Sequence, residues 1–206
     1  MWTWLFFVGY FRLLREPGGP PLIMPLTPLD DLIAFQPYAL FPYLTLWVYV
    51  GVAPGLQRSF VELLVYGIWS GALCLAGLGL FYAWPTQVPI LERDASGLAA
   101  FELLQGVDAA GNACPSMHVA IAIFTALWIE QQLREVGVPL GWRVANWAWF
   151  SAIAYSTLAI KQHVVLDVFA GALLGGAFAV ASLHWRPYRA HRRRQRLLLN
   201  SDRARI

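Results

Sequence analysis

Along the chain, apolar residues gather in long blocks separated by short clusters of proline, glycine and charge. Five of these blocks, residues 39–56, 60–84, 114–129, 142–160 and 164–183, have the length and polarity of helices that cross a bilayer. Such a helix needs roughly 20 apolar residues to span about 30 Å of hydrocarbon. Pro42 falls in the first turn of the first block, where a missing amide proton is tolerated, and Pro54, Gly55, Gln57 and Arg58 form a tight turn after it. Pro85 and Pro89 end the second block, and its Gly67, Gly71, Gly77 and Gly79 offer close helix contacts. Residues 86–112 are the longest polar connection, within which Leu98, Phe101, Leu103 and Leu104 suggest a short amphipathic helix beside the membrane. The last two blocks are joined only by Lys161, Gln162 and His163.

The N-terminus has a different pattern. Residues 1–14 are apolar and aromatic, short for a span, and read either as an interfacial helix or as a short, tilted first span. No signal peptide is expected, because no basic n-region precedes the apolar residues and no small-residue cleavage site follows them. Pro20, Pro21, Pro25 and Pro28 then interrupt any helix, and Asp30 and Asp31 are placed to cap a short one. The expected fold is therefore all-α: a polytopic transmembrane helical bundle of five spans with an N-terminal short span or interfacial helix. Residues 1–37 would form the N-terminal section, 38–185 the membrane domain and 186–206 a basic cytoplasmic tail.

Composition agrees with a membrane protein: 58% of the 206 residues are hydrophobic and only 13% are charged. The net charge of +3 does not indicate nucleic acid, because Arg186, Arg189, Arg192, Arg193, Arg194 and Arg196 crowd one stretch beside the last apolar block. A tail of this kind sits against anionic lipid. If the five blocks alternate across the bilayer, Arg58, Arg134, Arg143 and the tail share the cytoplasmic side, while Glu92, Asp94, Glu102 and Asp108 face out. His118 and His163 then meet at the outer face of the plasma membrane. Cys74 and Cys114 make no disulfide framework.

Two short constellations carry candidate chemistry. On a helix, His163 and Asp167 share a face, so the carboxylate can orient the ring and stabilise its imidazolium form. The alternative is a helix end at the interface with two solvated polar residues. Ser116 and His118 open the third block behind Pro115, where unpaired first-turn amides and a hydroxyl suit a phosphate. An ordinary helix cap would use the same serine. No cluster resembles a zinc site and no Walker or dinucleotide motif is present, so neither metal nor cofactor is expected.

The motif PSMH at residues 115–118, followed by KQHVVLDVFAG at 161–171, resembles the second and third signature motifs of the type 2 phosphatidic acid phosphatase superfamily. With the order of the helices, the likeness extends over residues 38–185. The resemblance implies that His163 attacks phosphorus and forms a phosphohistidine, that Asp167 orients it, and that His118 protonates the leaving oxygen. Ser116 and the amide near Met117 would bind the phosphate.

The chain departs from the family pattern in two places. Ser156 and Thr157 stand where the third motif has Ser-Arg, so Lys161 is the candidate source of that charge, as a point charge and not a bidentate fork. The first motif, Lys-x6-Arg-Pro, is absent, and residues 85–94 offer only Arg93, either a phosphate ligand or a solvated partner of Glu92 or Asp94. The expected function is hydrolysis of a lipid phosphate monoester. The alternatives are transfer of a phosphoryl or phospho-head group to a lipid or inositol-like hydroxyl, and a non-enzymatic lipid-binding role. The expected partners are a lipid phosphate or phospholipid and the bilayer.

Overall fold

The computed structural model describes residues 2–89 and 111–185. The helices are α1 (Trp2–Arg15), α2 (Pro28–Leu32), α3 (Leu40–Leu44), α4 (Leu46–Gly55), α5 (Phe60–Ala83), α6 (Met117–Val136), α7 (Leu140–Ala159) and α8 (Val165–His184). A two-residue parallel pairing of Leu22–Ile23 with Thr86–Gln87 is the one sheet among the described residues. Arg93, the proposed helix at 98–104, the acidic residues Glu92, Asp94, Glu102 and Asp108, and the arginine tail lie outside the described residues.

The helical character stands, but the expected five spans and N-terminal span do not. Among the described residues only α5 and α8 are long and apolar enough to cross a membrane. Each of the other segments has a physical reason for falling short. The 39–56 block is broken at Thr45, whose hydroxyl donates to Pro42 O at 2.7 Å, into the short helices α3 and α4. α6 carries Glu130, Gln131, Gln132, Arg134 and Glu135 within its helical length, and α7 is diluted by Arg143, Asn146 and several tryptophans. α1, at 14 residues, reaches only about 21 Å.

α5 and α8 differ from the core helices of a soluble domain. Only 22% of the apolar window of α5 and 28% of that of α8 is buried. Leu64, Ile68, Leu75, Phe169, Leu173 and Val180 are exposed along them, a surface suited to lipid. The protein is membrane-associated.

α6 is the central element. It packs against α4, α5, α7 and α8, and Val119, Ala120, Ala122, Phe124, Ala126 and Trp128 are fully buried on it. Ser116 caps its start by accepting from Val119 N, and Gly137, at φ 76°, supplies the left-handed residue that ends it. Its crossing with α8 is close enough to require glycine. A Cβ added at Gly171 would overlap the carbonyl of Ser116, and one at Gly175 the carbonyl of Ala120. This crossing brings the two histidine motifs together.

A second small core joins α3 to the end of α7 through Ala39, Leu40, Tyr43, Ala159 and Ile160. A third, of Met24, Val88, Ala113 and Val164, gathers four chain segments just before α6 and α8 begin.

Candidate active site

The starts of α6 and α8 meet at one end of the bundle, where Ser116 N donates to Asp167 O at 3.0 Å. The rings of His118 and His163 lie with centroids 5.8 Å apart and planes inclined at 60°. His163 Nδ1 faces Asp167 Oδ2 at 3.5 Å, within ion-pair range but longer than a hydrogen bond. His163 is 8% exposed and Asp167 fully buried, so the pair is not a solvated helix end.

Asp167 has two roles at once. Its Oδ2 accepts from Val164 N at 3.1 Å and caps α8, while its Oδ1 and His163 Nδ1 are buried with no hydrogen-bond partner among the described residues. Burying a carboxylate with an unpaired oxygen is costly unless something compensates. A hydrogen on His163 Nδ1 would point at the carboxylate and leave the lone pair on Nε2.

The turn before His163 is held tightly. The amides of both Gln162 and His163 donate to Thr157 O at 3.1 Å. Lys161 sits in the left-handed region at φ 59°, uncommon for a residue with a Cβ. Its ammonium donates to Asp30 O at 3.1 Å and to Ile33 O. The lysine is thus turned toward the carbonyls of Asp30 in α2 and of Ile33 at its C-cap.

Ser116 is fully buried and its Oγ accepts from Val119 N at 3.4 Å, so the cap reading of this residue is realised. Met117 places its amide in the first turn of α6, which has no intrahelical acceptor, and its sulfur against Gly77. Thr157, at the family's arginine position, is buried and donates to Ala154 O at 2.8 Å. Burial, and then the neighbouring Asp167 carboxylate, push the Cys114 thiol up to about 11, which keeps it protonated near neutral pH.

Two contacts at the site did not stand out in the sequence. Tyr43 OH lies 2.7 Å from His118 Nε2, and the two rings stack at 4.7 Å. Asp30 accepts from Thr27 N and Oγ1, both at 2.7 Å, through Oδ2, and from Val165 N at 2.8 Å through Oδ1. The capping role expected of Asp30 is visible, but its reach to the first residue of α8 is additional. The sequence signal for Asp30 was its placement to cap a short helix after Pro28; Tyr43 carried no signal within its apolar block.

A helical, membrane-associated protein with paired histidines at one bundle end is the class these observations define. Residues 89–191, half of the chain, match the PAP2 superfamily, and the protein belongs to that superfamily. Membership brings a general role in lipid-phosphate processing and the potential for enzymatic activity. No curated protein and no solved structure matches the chain.

Proposed function

We propose that the protein is a membrane phosphatase that hydrolyses a lipid phosphate monoester through a phosphohistidine at His163. The observation that carries this reading is the pairing of His118 and His163 at 5.8 Å with a buried carboxylate behind one of them. With Nδ1 turned to Asp167, Nε2 of His163 is the nitrogen that attacks phosphorus. The N–P bond forms as the P–O bond to the lipid breaks, and the lone pair left on that oxygen takes a proton from His118. Growing positive charge on His163 is matched by Asp167. In the second step His118 accepts a proton from water, the water oxygen bonds to phosphorus, and phosphate leaves His163 free.

Charge on the phosphoryl oxygens requires donors. Ser116 and the Met117 amide, Lys161 from its held position, and Arg93 in the loop outside the described residues are the candidates. The basic end of α6 lies opposite the histidines: Arg134 and Arg143 both engage Glu130, and Arg58 engages Glu135. From His118 to Glu130 the helix runs roughly 18 Å. A bias of arginine toward one end favours a cytoplasmic position for it, and with that an outer-leaflet position for the histidines.

Turnover of a panel of lipid phosphates and phospholipids by the purified protein in detergent tests the proposal. Free phosphate and new lipid products are both assayed, with H163A alongside. Phosphate release abolished in H163A is expected. A His163-dependent lipid product without phosphate would replace hydrolysis by transfer, and lipid binding without His163-dependent turnover would indicate a binding protein.

A further inference from the structure

We infer that Tyr43, from α3 and outside the residues that match the superfamily, is a positioning residue for His118 and sets how well that histidine protonates the leaving oxygen. The inference rests on the phosphohistidine reading. Tyr43 is 3% exposed, so its hydroxyl is not a surface group that meets His118 by chance. Its ring is fixed by Ala39, Leu40, Ala159 and Ile160, the core that joins α3 to the end of α7. Two contacts act on His118 together: the ring stack at 4.7 Å with planes at 31°, and the 2.7 Å hydrogen bond at Nε2. The stack sets the plane of the imidazole and the hydrogen bond sets its rotation in that plane.

The chemistry follows from the phenol oxygen being an acceptor. When His118 is neutral, its hydrogen stays on Nε2 and donates to the Tyr43 oxygen, so Nδ1 is the nitrogen that gives up and takes back the transferred proton. When His118 is an imidazolium, Nε2–H donates to the Tyr43 oxygen, a charge-assisted bond stronger than the neutral one. The Nδ1 proton is then the one passed to the leaving oxygen as the P–O bond breaks, and Nε2 keeps its hydrogen toward Tyr43 until the ring is reprotonated by the attacking water. Tyr43 gains and loses no proton in the cycle.

A leaving group that departs without a proton separates this role from a merely structural one. Tyr43→Phe keeps the ring and its packing and removes only the hydroxyl. On an alkyl phosphate, kcat is expected to fall roughly 10-fold with KM within about twofold, the scale of one hydrogen bond to a charged group. On 4-nitrophenyl phosphate, whose leaving group needs no acid, kcat/KM, which reports formation of the phosphohistidine and not its hydrolysis, is expected to change less than about twofold. Tyr43→Gln, whose amide oxygen also accepts from Nε2–H, is expected to recover part of the alkyl phosphate activity. Equal losses on the two esters, or no loss on either, would overturn the inference. H163A abolishing turnover of both esters keeps the two questions apart; turnover surviving in H163A would remove the phosphohistidine reading and this inference with it.

Discussion

Asp30 and Lys161 hold each other's segments across 130 residues of sequence. The Asp30 carboxylate accepts from Val165 N at 2.8 Å, while the Lys161 ammonium donates to the Asp30 carbonyl at 3.1 Å. The N-terminal segment is thereby clamped to both sides of His163. Asp30→Ala would leave Val165 N and Thr27 N without their carboxylate and is expected to cost about 2 kcal/mol of stability. Because the clamp brackets the turn that carries His163, activity is expected to fall several-fold as well. Thermal unfolding in detergent and a turnover assay on one preparation check both effects.

The crossing of α6 and α8 yields a contrast within one helix. Gly171→Ala and Gly175→Ala would each drive a methyl into a carbonyl of α6, whereas Gly176 has open space around its would-be Cβ. The first two are expected to destabilise by about 1–3 kcal/mol and to lower turnover by separating His118 from His163. Gly176→Ala is expected to change neither. Unfolding midpoints and activity of the three variants decide the matter.

This crossing also marks how far the sequence could be read. The spacing of His163 and Asp167 and the Pro-Ser-x-His at 115–118 were visible as local patterns, and the structure brings them together at the starts of α8 and α6. The glycines of the last block were legible as small residues, but not which carbonyls they approach. The number of spans was misread because mean apolarity does not register a break such as Thr45, or the polar turns that α6 keeps within its helix. Tyr43 was illegible for a related reason: in an apolar block a tyrosine facing a histidine has the same sequence signature as one facing lipid. Lys161 was read as a charge near phosphate, yet no pattern announced that two carbonyls of another segment would hold it.

The far end of α6 carries the pH dependence. Burial alone would raise the Glu130 carboxyl, but hydrogen bonds from Arg143 and Arg134 and their charges outweigh it and hold it below the usual value. A carboxyl depressed in the folded state adds stability that is fully present above its unfolded value, about 4.3. That stability is lost as pH falls through the lower folded value. Unfolding midpoints are therefore expected to drop on acidification below about pH 4.5. Glu130→Gln is expected to have a lower midpoint at neutral pH and a flatter acid limb.

Asp167→Asn retains an oxygen for the Val164 amide but removes the charge facing His163. The expected result is a fall in kcat of about 100-fold with little change in KM, because the lost interaction grows only as His163 becomes positive. Steady-state kinetics on a lipid phosphate measure the split. A similar loss confined to KM would assign Asp167 to substrate binding.

The most direct measurement is a rapid-quench experiment with a lipid phosphate labelled at phosphorus, stopped in base and followed by peptide mapping of the bound label. Covalent label that is stable in base, labile in acid, located on His163 and formed no more slowly than turnover is the expected result. Turnover that proceeds with no label on His163, in protein that still requires His118, would contradict the phosphohistidine mechanism.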